Sequence, residues 1–136
     1  MVSVDECFEI SFKIFDGNRG KLVSIESNKN IPFSIERIFY IFGTDSDNTV
    51  RGKHANKESE FVMICLSGSC KVLVKDGVSS KEFILDAPHK AIYLPKMIWK
   101  EMCDFSNNCV LLVLSNMLYD SNEYINDFDE YISCIK

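Results

Sequence analysis

Apolar residues along this chain recur mostly at every second position, in short runs broken by turn residues. "CFEISFKIF" at 7–15 sets Phe8, Ile10, Phe12 and Ile14 on one face before "DGNRG" interrupts it. Such alternation marks a half-buried strand, because successive side chains on extended backbone point to opposite sides. "KLVSIE" is a further short strand candidate, followed by the turn "SNKNIPF", and "IERIFYIFG" is rich in aromatic and β-branched residues, as a buried strand is. Beyond the polar loop "GTDSDNTVRG" come "EFVMICLSG" and "CKVLVKDG", the latter ending in Asp76-Gly77, a strong hairpin signal. "KEFILD", "AIYLP" and "NNCVLLVLS" complete a series of about eight strands, the pattern of a sandwich or barrel.

The last segment changes period. In "SNEYINDFDEYISCIK", Tyr124, Ile125, Phe128, Tyr131, Ile132 and Ile135 fall three and four residues apart. This predicts a short amphipathic helix packed on the barrel, capped by Ser121 or Asn122, with Glu123 in its first turn. No repeat, linker or low-complexity tract divides the chain, so residues 1–136 read as a single all-β domain with one C-terminal helix.

Composition narrows the function classes. A formal charge of −5 argues against non-specific nucleic-acid binding. The apolar run "CVLLVL" at 109–114 is far too short for a membrane-spanning helix. "MVSVDECFEI" has neither the basic start nor the apolar core of a signal peptide, which points to a cytoplasmic protein. The six cysteines, at 7, 65, 70, 103, 109 and 134, form no C-x-x-C pair, and reduced, largely core thiols are expected.

Chemistry concentrates at "RGKHANKESE", residues 51–60, which holds one of the two histidines. His54-x-Asn56, Glu60, Gly68 and later Pro95-x-x-x-Trp99-Lys100 resemble the two-part motif of the cupin superfamily. Metal-holding cupins gather three histidines and a glutamate inside a barrel, but here Asn56 and Lys100 stand at two of the histidine positions. An ammonium offers only donors and an amide oxygen is a weak ligand, so neither a metal nor any other cofactor is expected.

A closer resemblance covers about residues 18–128. "NRGKLVSIESNKNIPFSIERIFYIFGT", "RGKHANK", "SGSCKVLVKDG", "YLPKMIWKEMCDFS", "CVLLVLS" and "YDSNEYINDF" occur in the order found in the sugar nucleotide 3,4-ketoisomerases, a non-metal cupin family. The resemblance implies an RmlC-like jelly-roll barrel and a dTDP-4-keto-6-deoxyhexose substrate whose ketone moves from C4 to C3, ahead of 3-amination. It assigns His54 the acid/base role, since imidazole titrates near neutrality. Asn56 stands where the family has a second histidine and, unable to exchange a proton, orients the substrate or His54.

The same resemblance turns Tyr40 toward the cavity. Arg19, Arg51 and Lys100 become substrate contacts, Arg19 and Arg51 having solvated surface arginines as the alternative. An inward Lys100 needs a partner, Glu60, Glu101 or an anionic substrate, because an unpaired buried ammonium is costly. Trp99 is either core and cavity wall or a stacking surface for thymine, and His89 reads as a surface residue. A homodimer exchanging N-terminal strands is expected from the same likeness. Two rivals use the same barrel: a related dTDP-sugar epimerase, and a non-catalytic dTDP-sugar binding module.

Overall fold

The alternating segments fold into two antiparallel sheets packed face to face. The computed structural model describes residues 1–44 and 48–136, so part of the polar loop expected before Arg51 lies outside the described residues. The first sheet has the order β1 (Phe8–Ser11), β9 (Lys90–Leu94), β6 (Phe61–Ser67), β11 (Val110–Ser115), β4 (Arg37–Ile41). The second has the order β12 (Tyr124–Ile125), β5 (Arg51–Asn56), β10 (Trp99–Cys103), β7 (Cys70–Lys75), β8 (Ser80–Leu85). A separate hairpin, β2 (Phe15–Gly17) with β3 (Gly20–Leu22), pairs with neither sheet. This is the sandwich the strand pattern implied and the jelly roll the family resemblance implied, with more and shorter strands.

The core lies between the sheets. Phe61, Met63 and Cys65 of β6 and Leu111 and Val113 of β11 meet Val72 and Val74 of β7 and Met102 of β10. The uninterrupted run Phe61–Cys65 is buried on both faces, because Val62 and Ile64 pack outward beneath Phe12, Ile31 and Phe33. A central strand covered on both sides loses its polar alternation for this reason. All six cysteines are free, four of them buried. No helix among the described residues is long and apolar enough to cross a membrane.

Asp76 fixes the β7–β8 turn and more. Its carboxylate accepts from Val78 and Ser79 N–H at 2.8 and 2.7 Å. It also accepts from Val4 N–H at 2.9 Å, which ties the N-terminal 3-10 turn, Val4–Glu6, onto the barrel.

Two expectations require correction. The run 7–15 is not one strand: β1 stops at Ser11, and the chain turns so that Phe12 N–H bonds the His89 carbonyl at 2.7 Å before β2 begins. The expected helix at 121–135 is also shorter. Ser121–Glu123 form a 3-10 turn capped by Asp120, Tyr124–Ile125 pair with β5, and only Phe128–Cys134 are helical (α1), capped by Asp127. Seven residues are too few to hold a helix in isolation. Tyr131, fully buried, anchors α1 by donating its hydroxyl to the Met97 carbonyl at 2.7 Å.

The β6–β7 turn is the tightest point in the barrel. Gly68 has φ +68°, and a Cβ there would overlap the Ser106 hydroxyl and lie 2.9 Å from Cys109 Cα. Gly68→Ala is expected to destabilise the fold by about 2 kcal/mol through backbone strain and overpacking, read as a lowered urea midpoint at unchanged slope.

Candidate functional site

A single extra residue in β5 decides which side chains share the cavity. Across the ladder to β10, Lys100 sits opposite His54 and Glu101 opposite Gly52, so Lys53 is unmatched. Gly52 and Lys53 both have positive φ, 82° and 58°. The bulge shifts the side-chain alternation by one. Arg51 and His54, three residues apart and on opposite faces of a regular strand, therefore both line one cavity of about 200 Å3. Glycine is needed beside the bulge, since a Cβ at Gly52 would stand 3.0 Å from the Lys100 carbonyl.

Lys100 of β10 and Tyr124 of β12 supply the other polar lining, while Phe39, Ile41, Phe61 and Met63 form apolar walls. The Tyr124 ring packs on His54 with centroids 4.8 Å apart. Arg37 donates to the Tyr124 hydroxyl at 3.4 Å, and its guanidinium lies 5.5 Å from the ring centre of exposed Tyr119.

Behind the cavity runs a buried polar chain. Lys100, 2% exposed, donates from Nζ to Asn56 Oδ1 at 2.9 Å. Asn56, fully buried, donates from Nδ2 to Glu123 Oε1 at 2.9 Å. Glu123 also accepts from the Glu58 and Ser59 backbone N–H groups, each at 3.0 Å, and from the Ser59 hydroxyl. The amide orientation follows from chemistry: an ammonium only donates and a carboxylate only accepts, so the oxygen faces Lys100 and the nitrogen faces Glu123.

These contacts set the ionisation of all three titratable groups. Burial lowers the Lys100 pKa to about 7, against the opposing pull of Glu123 and Cys7. Burial, then the Lys100 charge, lowers His54 to about 4, so its imidazole is neutral at neutral pH. Burial alone would raise Glu123, but hydrogen bonds from Ser59, Asn56 and the Glu58 backbone outweigh it and hold the carboxyl below its usual range.

Of the residues singled out in the sequence, Arg51, His54 and Lys100 meet in the cavity, with Asn56 directly behind Lys100. Four others lie elsewhere in this chain. Tyr40 is 62% exposed on the outer face of the edge strand β4, stacked on Phe42; its neighbours Phe39 and Ile41 take the inward positions. Trp99 and Glu101 point to the far side of β10, away from Lys100. Trp99 is core under α1, 5.1 Å from the Phe128 ring centre, and donates to Glu101 at 2.9 Å. Arg19 sits in the turn of the separate β2–β3 hairpin, outside the cavity lining.

Neither carboxylate expected to partner Lys100 does so. Glu60 is held by the Tyr93 hydroxyl and Asn116, and Glu101 pairs with Lys75 at 3.8 Å. The Asn56 amide takes that role with Glu123 behind it, and Tyr124 beside Glu123 was read as helix core. A signal was present: Asp127 is a second cap candidate downstream, and it leaves "EYI" free to be extended.

Glu123→Ala is expected to cost about 3 kcal/mol in urea unfolding. It strips partners from Asn56, Ser59 and two backbone N–H groups and removes the nearest carboxylate from a buried ammonium.

Comparison with known proteins agrees with this geometry. The family model described as "FdtA: WxcM-like, C-terminal" matches residues 5–136. A TDP-4-oxo-6-deoxy-alpha-D-glucose-3,4-oxoisomerase from Aneurinibacillus thermoaerophilus is 47% identical over 122 residues, 90% of this chain and 87% of that one. A 3,4-ketoisomerase structure from Helicobacter canadensis superposes with TM-score 0.93 at 40% identity, covering 96% of this chain and 97% of that chain. A variant of a Thermoanaerobacterium thermosaccharolyticum 3,4-ketoisomerase, in complex with TDP-4-keto-6-deoxyglucose, superposes with TM-score 0.93 at 36% identity, covering 98% of this chain and 96% of that chain. With a match over nearly its whole length, a jelly-roll barrel and one cavity histidine facing a buried cation, this chain belongs to the FdtA, WxcM-like family of sugar nucleotide 3,4-ketoisomerases.

Proposed function

We propose that this protein is a metal-independent TDP-4-keto-6-deoxyglucose 3,4-ketoisomerase. The observation that carries the reading is a neutral imidazole and a buried amine, His54 and Lys100, opposite one another in a cavity with room for a sugar ring. At about 200 Å3 the cavity is smaller than the roughly 300 Å3 at which pockets for drug-sized ligands begin. The hexose enters and the nucleotide stays at the mouth, where Arg51 offers a guanidinium fork to pyrophosphate oxygens.

The C4 ketone acidifies the C3–H bond. His54 takes that proton, and the electrons of the broken bond form the C3–C4 enediolate, with negative charge on O4. Lys100, buried in the cavity wall, faces this charge where water is largely excluded and such stabilisation is strongest. His54 then returns its proton to C4 while the hydroxyl proton of O3 passes to O4, leaving the ketone at C3. No redox partner is needed, and Asn56 and Lys100 are chemically unsuited to hold a metal there.

Arg19 enters through a second copy. The β2–β3 hairpin that carries it pairs with no other strand among the described residues, and an apolar stripe, Ile38 and Tyr40 of β4 with Phe42 just beyond it, is exposed. The protein is a homodimer in which the partner's N-terminal segment brings Arg19 to the nucleotide. It works in the cytoplasm, where reduced thiols persist, supplying 3-keto sugars for amination on the way to 3-amino-3,6-dideoxyhexoses of surface glycans.

Measurements of conversion, of the His54 role and of assembly test this reading. Sugar-nucleotide NMR coupled to a 3-aminotransferase is expected to show conversion at C3, and no conversion at high enzyme concentration refutes isomerisation; solvent-deuterium exchange without ketone movement identifies an epimerase instead. His54→Asn should lower kcat about 1,000-fold or more while TDP binding persists, and wild-type kcat/KM should show no His54-dependent fall until the pH approaches about 4. Light scattering on a gel-filtered sample is expected to give twice the 15.6 kDa chain mass, and a monomer peak in active enzyme removes the dimer.

A further inference from the structure

Lys100 is the only basic side chain among the buried described residues. The charged and titratable groups that face it among the described residues are few. His54 stands opposite on β5, with Arg51 further along that strand and Tyr124 of β12 in the same cavity. Cys7 follows the N-terminal 3-10 turn, and Glu123 lies behind Asn56. From β7, Val74 is opposite and uncharged, and from β6 the Phe61 ring centre lies 4.8 Å from Nζ. Glu123 is the only carboxylate in this set. It reaches Lys100 through one amide and is itself clamped by two backbone N–H groups and a hydroxyl.

We propose that Glu123 is a positioning residue for the isomerisation: acting through Asn56, it aims the Lys100 ammonium at the sugar's carbonyl oxygen and keeps it charged during turnover. The proposal rests on the isomerase reading above. An ammonium in this setting would otherwise swing toward solvent or lose its proton. Asn56 suits the intermediate position because an amide transmits direction and field but does not exchange a proton in this range. A histidine there could carry the Lys100 proton to the carboxylate. The charged Lys100 also disfavours protonation of His54, outweighing the smaller opposing pull of Glu123 on the imidazole.

The role predicts a pH signature that a purely structural glutamate lacks. Wild-type kcat/KM for TDP-4-keto-6-deoxyglucose should fall as the pH rises through about 7, where Lys100 loses its charge. Glu123→Gln keeps the size of the side chain but removes its charge and, since the amide nitrogen only donates, one of its two acceptor oxygens, and should move that limb down by about one pH unit. Lys100→Arg stays protonated, so its turnover, though reduced, should not fall up to about pH 9.

Protein labelled with [ε-13C]lysine, titrated by NMR without substrate, should show the same displacement of one buried resonance between wild type and Glu123→Gln. A folded Glu123→Gln protein with unmoved limb and unmoved resonance overturns the proposal. So does a Lys100→Arg enzyme that still loses activity with the wild-type midpoint. Should Glu123→Gln fail to fold by circular dichroism, Asn56→Ser takes its place and must produce a displaced limb. If wild-type protein does not isomerise the sugar at any pH, the isomerase reading fails, while the NMR titration still tests whether Glu123 holds the Lys100 charge.

Discussion

Placing an ammonium inside a β-barrel is the constraint around which this molecule is arranged. Leaving it unpaired costs on the order of several kcal/mol, and hydrophobic packing from the surrounding strands cannot offset a charge. The chain resolves this with three segments distant in sequence: β10 brings the amine, β5 the amide, and the turn before β12 the carboxylate. Closing that contact pulls the C-terminal segment back across β5 and sets the Tyr124 ring against His54. The short strand, the late start of α1 and the cavity wall all follow from where Glu123 has to be.

The same arrangement separates the acid/base properties of two neighbouring groups. Imidazole and ammonium face one another across a ladder rung, the first partly and the second almost fully desolvated. Burial depresses both, and the cation depresses the imidazole further. A carbonyl migration needs a free base at carbon and positive charge at oxygen together, and two titratable groups with displaced pKa values supply this without a metal.

Much of the barrel was legible because strand alternation and turn chemistry are local. Asp76-Gly77 could be read directly, and the unbroken run at Phe61–Cys65 marks a strand covered on both sides. His54 and Lys100 were legible through spacing and likeness to a family. The pairing of Lys100 was not, since Asn56 and Glu123 are 67 residues apart and no periodicity links them. Tyr40 was misplaced because alternation gives two faces without saying which is inward, and Phe39 and Ile41 took the inward one. The tail misled for a different reason: Tyr124 and Ile125 fit a helical stripe equally well until the strand pairing with Ala55 and Asn56 settles their geometry.

The bulge in β5 carries a consequence for how such a site can vary over time. Lys53 contributes no contact to the cavity, and its exposed side chain can change among residues that tolerate a φ of 58°, which excludes the β-branched ones. Its presence is not free, because it alone brings Arg51 into phase with His54. At this position the length of the strand is under tighter constraint than the identity of the residue. A one-residue deletion would turn Arg51 out of the site while leaving every other side chain of the cavity intact in composition.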